Sequence, residues 1–231
     1  MKALQTKLLL SASLMLVIHP IHLSAAVING PFVPGSGDWT LLPNGDFELG
    51  NTDHFHIQQG GPGIDNSISV DGIAPFAGSY SGVLSFNGGQ AYWAFAISGA
   101  AKTLPLGGNY VLSGFVRAAV SDSRNTGRMD RFGDVGSESY FDTGNKEWQF
   151  VYEEFTNDAG FWYPRFVYSS LSLIHPMTVG DKLYIDEFAL TPAHLFKAPT
   201  VRATGVPDGG GSALLTASGL AALALHRHRR K

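Results

Sequence analysis

The stretch Leu104–Ala118, LPLGGNYVLSGFVRA, decides the fold. A proline and the pair Gly107-Gly108 close one segment, and Asn109 hands over to a long run that stays β-branched and aromatic as far as Val120. Its apolar residues do not recur at the i, i+3, i+4, i+7 spacing of a helix face. The same grammar holds outward in both directions. The spacing predicts strands over 39–42, 46–49, 54–57, 67–70, 81–86, 92–97, 110–120, 148–155, 161–172 and 182–190. Glycine-, asparagine- and proline-rich turns separate them, among them Pro43-Asn44-Gly45, Asn87-Gly88-Gly89, Thr143-Gly144-Asn145 and Val179-Gly180-Asp181. Some ten short strands in one domain point to an all-β sandwich or barrel.

Composition narrows the class. The chain has 231 residues and no cysteine, so a disulfide framework, a thiolate metal site and a cysteine nucleophile are excluded. With 12% aromatic and 15% charged residues it is globular rather than disordered. The overall charge of −3 hides an asymmetry. Residues 27–205 hold 10 Lys and Arg against 18 Asp and Glu, a net −8, and the basic excess sits at the two ends. An acidic body without a basic stripe excludes nucleic acid as the expected partner.

Both ends read as addresses. Residues 1–26 place Lys2 and Lys7 before an apolar run from Leu8 to Ile18, then Ser24-Ala25-Ala26. This is the layout of a secretory signal helix cleaved by signal peptidase after Ala26. After a linker over 193–205 the other end combines Val206-Pro207-Asp208-Gly209-Gly210-Gly211, an apolar helix-permissive run over 212–225 and the basic stop HRHRRK over 226–231. The order of motif, span and basic end resembles the PEP-CTERM type of sorting signal, here with Val206, Pro207, Asp208 and Gly209 as its motif. That resemblance implies cleavage by an exosortase, a transient inner-membrane helix over 212–225, and a final place in the cell envelope or outside the cell. The third glycine and the shortness of the span depart from the usual pattern.

The blocks of residues 38–192 fall in a recognisable order: LLPNGDFELGNTDHFHI (41–57), GSYSGVLSF (78–86), LPLGGNYVLSGFVRA (104–118), EWQFVYEEFTNDAG (147–160) and VGDKLYIDEFALTP (179–192). Together they resemble the carbohydrate-binding-module jelly roll of the family 4/9 type, within the galactose-binding-like folds. The resemblance implies a jelly-roll β-sandwich, polysaccharide as a partner and a structural calcium shared by Glu48 and Asp186. Carbonyls near 78–80 would complete the calcium shell, with Asp46 as a further acid.

Aromatic residues are the candidates for contact with sugar rings, whose C–H faces pack on aromatic faces. Trp93, Trp162 and Tyr163 are the ligand-binding candidates. Tyr92-Trp93 and Trp162-Tyr163 are adjacent pairs on expected strands, so one member of each points to either face. Trp148, at the head of a strand, reads as core. The charged run SRNTGRMDRFGD, with Arg124, Arg128, Asp130, Arg131 and Asp134, reads as a solvated loop. His54 and His56 share a strand face without a third metal ligand. Glu153 and Glu154 are neighbours on a strand, face opposite ways and cannot form a glycosidase pair. No G-x-S-x-G, H-E-x-x-H or Walker loop occurs. The reading is a non-enzymatic exported protein that binds glycan. The alternatives are a structural or adhesive matrix protein without sugar binding and a polysaccharide-active hydrolase with a scattered site.

Overall fold

The computed structural model describes residues 26–59, 65–89, 95–98, 102–132, 138–157, 161–169 and 177–202. Its strands are β1 (Ala26–Asn29), β2 (His56–Gln59), β3 (Asp65–Asp71), β4 (Ser81–Gly88), β5 (Phe95–Ser98), β6 (Lys102–Thr103), β7 (Asn109–Ala119), β8 (Thr126–Phe132), β9 (Glu138–Phe141), β10 (Gln149–Thr156), β11 (Phe161–Ser169) and β12 (Lys182–Pro192). There is no helix among the described residues. The first sheet runs β1-β10-β7-β12-β4-β3. The second runs β2-β5-β11-β8-β9, with β6 also on β11. Every pairing among the described residues is antiparallel. The described residues form an all-β sandwich.

Period-2 alternation builds the core. On β7, Leu112, Val116 and Ala118 point inward, joined by Val151 and Phe155 of β10, Leu183, Ile185 and Phe188 of β12, and Leu84 and Phe86 of β4. The second sheet contributes Met129, Phe141, Phe166 and Tyr168. The two layers meet where the Phe166 and Phe188 rings lie 4.8 Å apart. A charged pair also sits inside. Arg131 of β8 and Glu153 of β10 are buried, with Nη2 2.9 Å and Nε 3.0 Å from Oε1. The Arg131 guanidinium lies 3.8 Å over the Phe155 ring.

The structure corrects several expectations. Residues 126–132 of this run are not a solvated loop: they form β8, and Arg131 is a core residue because Glu153 neutralises it. Alternation was hidden because only Met129 on that strand is both inward and apolar. Residues 46–49 are a turn rather than a strand, since Asn44 and Phe47 take φ of 54° and 57°. The turn buries the Phe47 ring against Gly82, where an added Cβ would lie 2.3 Å from Phe47 Cζ. Trp148 is half-buried on the outer side of the first sheet, not in the core.

The packed body also extends beyond 38–192. β1 pairs with β10 from Ala26 onward. Residues 31–38 and 197–202 run antiparallel, through Val33 N–H to Thr200 O (2.8 Å), mutual bonds between Asp38 and Lys197 (2.9 Å each) and Arg202 N–H to Pro31 O (2.7 Å). This ribbon lies over the outer side of the first sheet and gathers a second, smaller aromatic cluster there. Phe32, Trp39 and Phe76 surround Phe115, with Phe76 stacked on it at 3.4 Å.

Candidate functional site

The outward side chains of β8, β9 and β11 bring charge and aromatic rings onto one face of the second sheet. Cα register aligns His56, Ser98, Arg165, Asp130 and Glu138 in one row across the strands. The next row is Gln58, Ala96, Val167, Arg128 and Tyr140. Antiparallel pairing thus sets residues far apart in sequence side by side on a rigid surface. Tyr163, one pleat from Arg165 on β11, meets the His56 ring edge-on at 6.0 Å.

Asp130 is the centre of this array. It is 4% exposed and lies between two arginines. Arg128 Nε donates to its Oδ2 at 2.8 Å; Arg165 donates to Oδ1 through Nε and to Oδ2 through Nη2 at 3.1 Å. Arg128 also pairs with Glu138 Oε1 at 3.4 Å, and Tyr140 donates its hydroxyl to Glu138. Burial works against the Arg128 charge, but Asp130 and Glu138 outweigh it and its pKa is raised. The bond to Glu138, with burial and the negative charge, raises the Tyr140 phenol above its ordinary value. Charge-assisted, forked contacts of this kind fix side-chain planes. The result is a row of planar polar groups beside exposed Tyr140 and half-buried Tyr163. Such a surface can hydrogen-bond ring hydroxyls and stack on C–H faces.

Of the ligand-binding candidates read from the sequence, Tyr163 lies on this face, while Arg128, Asp130, Glu138, Tyr140 and Arg165 were not among those candidates. The alternation of Arg128 and Asp130 around Met129 was the available signal. Trp93 lies outside the described residues, as does the side chain of Trp162, whose backbone belongs to β11. The sorting motif Val206–Gly209 also lies outside them. Ala26 is the first residue of β1, so cleavage after it would leave Val27–Asn29 of that strand.

Glu48 and Asp186 do converge, on one loop. Asp186 Oδ2 accepts the N–H groups of Phe76 (2.9 Å) and Ala77 (3.1 Å), and its Oδ1 that of Glu187 (2.8 Å). Glu48 Oε1 accepts those of Ser79 (2.7 Å) and Tyr80 (2.9 Å). Gly78 is required between them: its φ is +62°, and a Cβ would lie 2.3 Å from Glu48 Oε1. The carboxylates are met by N–H donors, a polarity opposite to that of the carbonyl oxygens of a calcium shell. Among the described residues no group of three or more His, Cys, Asp or Glu is arranged to hold a metal ion. Burial pushes the Asp186 carboxyl up to about 8, against its three N–H donors. Burial, opposed by the Trp39 indole N–H at 2.8 Å and reinforced by Asp46 and Glu48, raises Glu187 as well.

No protein-family model matches the chain, and no curated protein does. Among solved structures it is similar to TmCBM61 in complex with β-1,4-galactotriose, at 17% identity and TM-score 0.48 over 66% of this chain and 98% of that one. The xylan-binding CBM22-1 domain of Paenibacillus barcinonensis Xyn10C aligns at 15% identity and TM-score 0.43, over 68% and 93%. The enzymatically active domain of tailspike protein 4 from bacteriophage CBA120 aligns at 17% and 0.48, over 66% of this chain and 21% of that one. At these identities and TM-scores none of them assigns a ligand to this chain.

Proposed function

We propose that the chain is an exported, non-enzymatic jelly-roll protein of the cell envelope or extracellular matrix that binds glycan on the outer face of its second sheet. Signal peptidase would release it after Ala26 and an exosortase would process it at Val206–Gly209, after the 212–225 helix has held it in the inner membrane. The observation that carries the binding reading is the array of Arg128, Asp130, Arg165, Glu138 and Tyr140, pre-ordered on a rigid sheet beside Tyr163 and His56. Planar polar groups flanked by rings are what a sugar requires. Tyr163, with Trp93, supplies stacking faces in this proposal.

The test is a broad glycan array probed with the wild-type protein and with Arg165→Met, Tyr140→Ala, Tyr163→Ala and Trp93→Ala. Binding by wild type and its loss in Arg165→Met and Tyr140→Ala is the expected result. One observation favours the structural-protein reading instead: both oxygens of nearly buried Asp130 are already engaged by arginines. Silence across the array, with Arg165→Met lowering only the melting temperature, would decide for that reading. Export and sorting are tested by the C-terminal mass of the protein produced with and without an exosortase; an intact tail in both rejects the processing step.

A further inference from the structure

The opposite face of the sandwich carries an arginine of a different kind. Arg124 pairs with Asp122, Arg128 with Asp130, Arg131 with Glu153 and Arg165 with Asp130. Arg117, on the outer side of β7, has aromatic rings for partners instead. Its guanidinium carbon lies 4.3 Å over the Tyr184 ring and 5.1 Å over the Trp148 ring. Its Nε is buried without a hydrogen-bond partner. Register places Tyr184 of β12 directly beside Arg117, while Trp148 immediately precedes β10 on the other side. Two rings thus hold the guanidinium plane fixed and leave its Nε–H without an acceptor.

Two further features bear on what it meets. Lys182 lies two residues before Tyr184 on β12, on the same face, and adds a second cation beside Arg117 although residues 27–205 carry net −8. Beyond Trp148 lies a hollow of about 290 Å³, lined by Gly30, Pro31, Phe32, Phe76, Glu147 and Trp148. It approaches the size of small-molecule sites and is walled mainly by aromatic and other apolar groups, with the exposed Glu147 as an acceptor for hydroxyls. A pre-oriented guanidinium without an acid selects a planar oxyanion, which it binds through two parallel N–H donors. A hollow walled by Trp148 and Phe76 selects a ring with C–H faces.

We infer that the outer face of the first sheet is a second binding site, for a carboxylate-bearing sugar of an acidic polysaccharide, with Arg117 taking the carboxylate and Trp148 the ring. The inference rests on the reading of the protein as a glycan binder but uses the sheet opposite the proposed site. Arg117 is a specificity-determining residue: it separates uronate from neutral sugar.

The test is calorimetric titration of the full-length protein with a linear hexagalacturonate and with its methyl ester, which keeps the rings and removes the charge. Wild type should bind the acid at least about tenfold more tightly than the ester. Arg117→Met should abolish that preference, and Arg117→Lys, which keeps the charge and loses the fork, should reduce it. Leu106→Ser, exposed on a turn at the other end of β7, should leave it unchanged. Equal affinity for acid and ester, an unchanged preference in an Arg117→Met protein whose circular dichroism is native, or equally tight Arg117-dependent binding of inorganic phosphate would each overturn the assignment. If Arg117→Met misfolds, Arg117→Lys carries the test alone, and full retention of preference in it is overturning. Loss of all uronate binding in Arg165→Met would move the ligand to the second sheet and sink this site while supporting the proposed function.

Discussion

Arg131 and Glu153 come from opposite sheets and meet inside the sandwich, with Nη2 2.9 Å from Oε1. The pair closes the interior charge and presses the guanidinium onto Phe155. Removing one partner leaves the other charged and buried. Arg131→Met or Glu153→Leu alone is expected to cost about 3–5 kcal/mol, measured by urea unfolding. The double replacement should recover most of that loss, because two apolar side chains leave no stranded charge.

Asp186 sets a pH dependence. Its pKa in the folded chain is pushed up to about 8 from an ordinary value of 3.8, so the folded state holds the proton more firmly than the unfolded one. Its contribution is greatest below about pH 4 and is lost as pH rises towards 8. The melting temperature should therefore fall between pH 5 and 8. Glu187, also raised, acts in the same direction, with Asp46 and Glu48 as the neighbouring charges. Asp186→Asn should flatten the slope, whatever it does to stability at one pH. An unchanged slope would refute the assignment to Asp186.

Glu48 and Asp186 tie the 76–80 loop through N–H groups. Chelation with EDTA is accordingly expected to leave the melting temperature in place, and a fall of several degrees would show that calcium does this work instead. Glu48→Ala removes the one oxygen that accepts two N–H bonds and should cost about 1–2 kcal/mol while raising amide exchange at Ser79 and Tyr80.

Gly82 leaves room for the ring of Phe47. Gly82→Ala puts a methyl into that ring and should destabilise by about 1–3 kcal/mol. Phe47→Leu in the same chain should return part of the loss, a coupling that a double-mutant cycle measures.

The strands legible in the sequence are those whose inward positions are apolar. β4, β7, β10 and β12 carry the core on alternate residues, and their turns are marked by glycine and asparagine. β8 and β9 escaped because alternation there is written in other letters: Arg131 points inward as one half of an ion pair, and Arg128 and Asp130 outward as another. A pattern of hydrophobicity cannot show that a charge is buried by its partner across the sandwich. The candidate site was missed for the same reason, since its residues come from β8, β9 and β11 and become neighbours only through register. The convergence of Glu48 and Asp186 on one loop was expected, while the donors that meet them are backbone groups without a sequence signature.

The antiparallel ribbon of 31–38 with 197–202 has a mechanical consequence. A tether joined beyond Arg202 would pull first on the bond to Pro31, then on Thr200 with Val33, then on the Asp38–Lys197 pair, in sequence rather than together. Tension applied there unzips the strap one rung at a time and reaches the long β12 only after the strap has opened. A protein pulled at this end would yield softly there while the sandwich stayed folded.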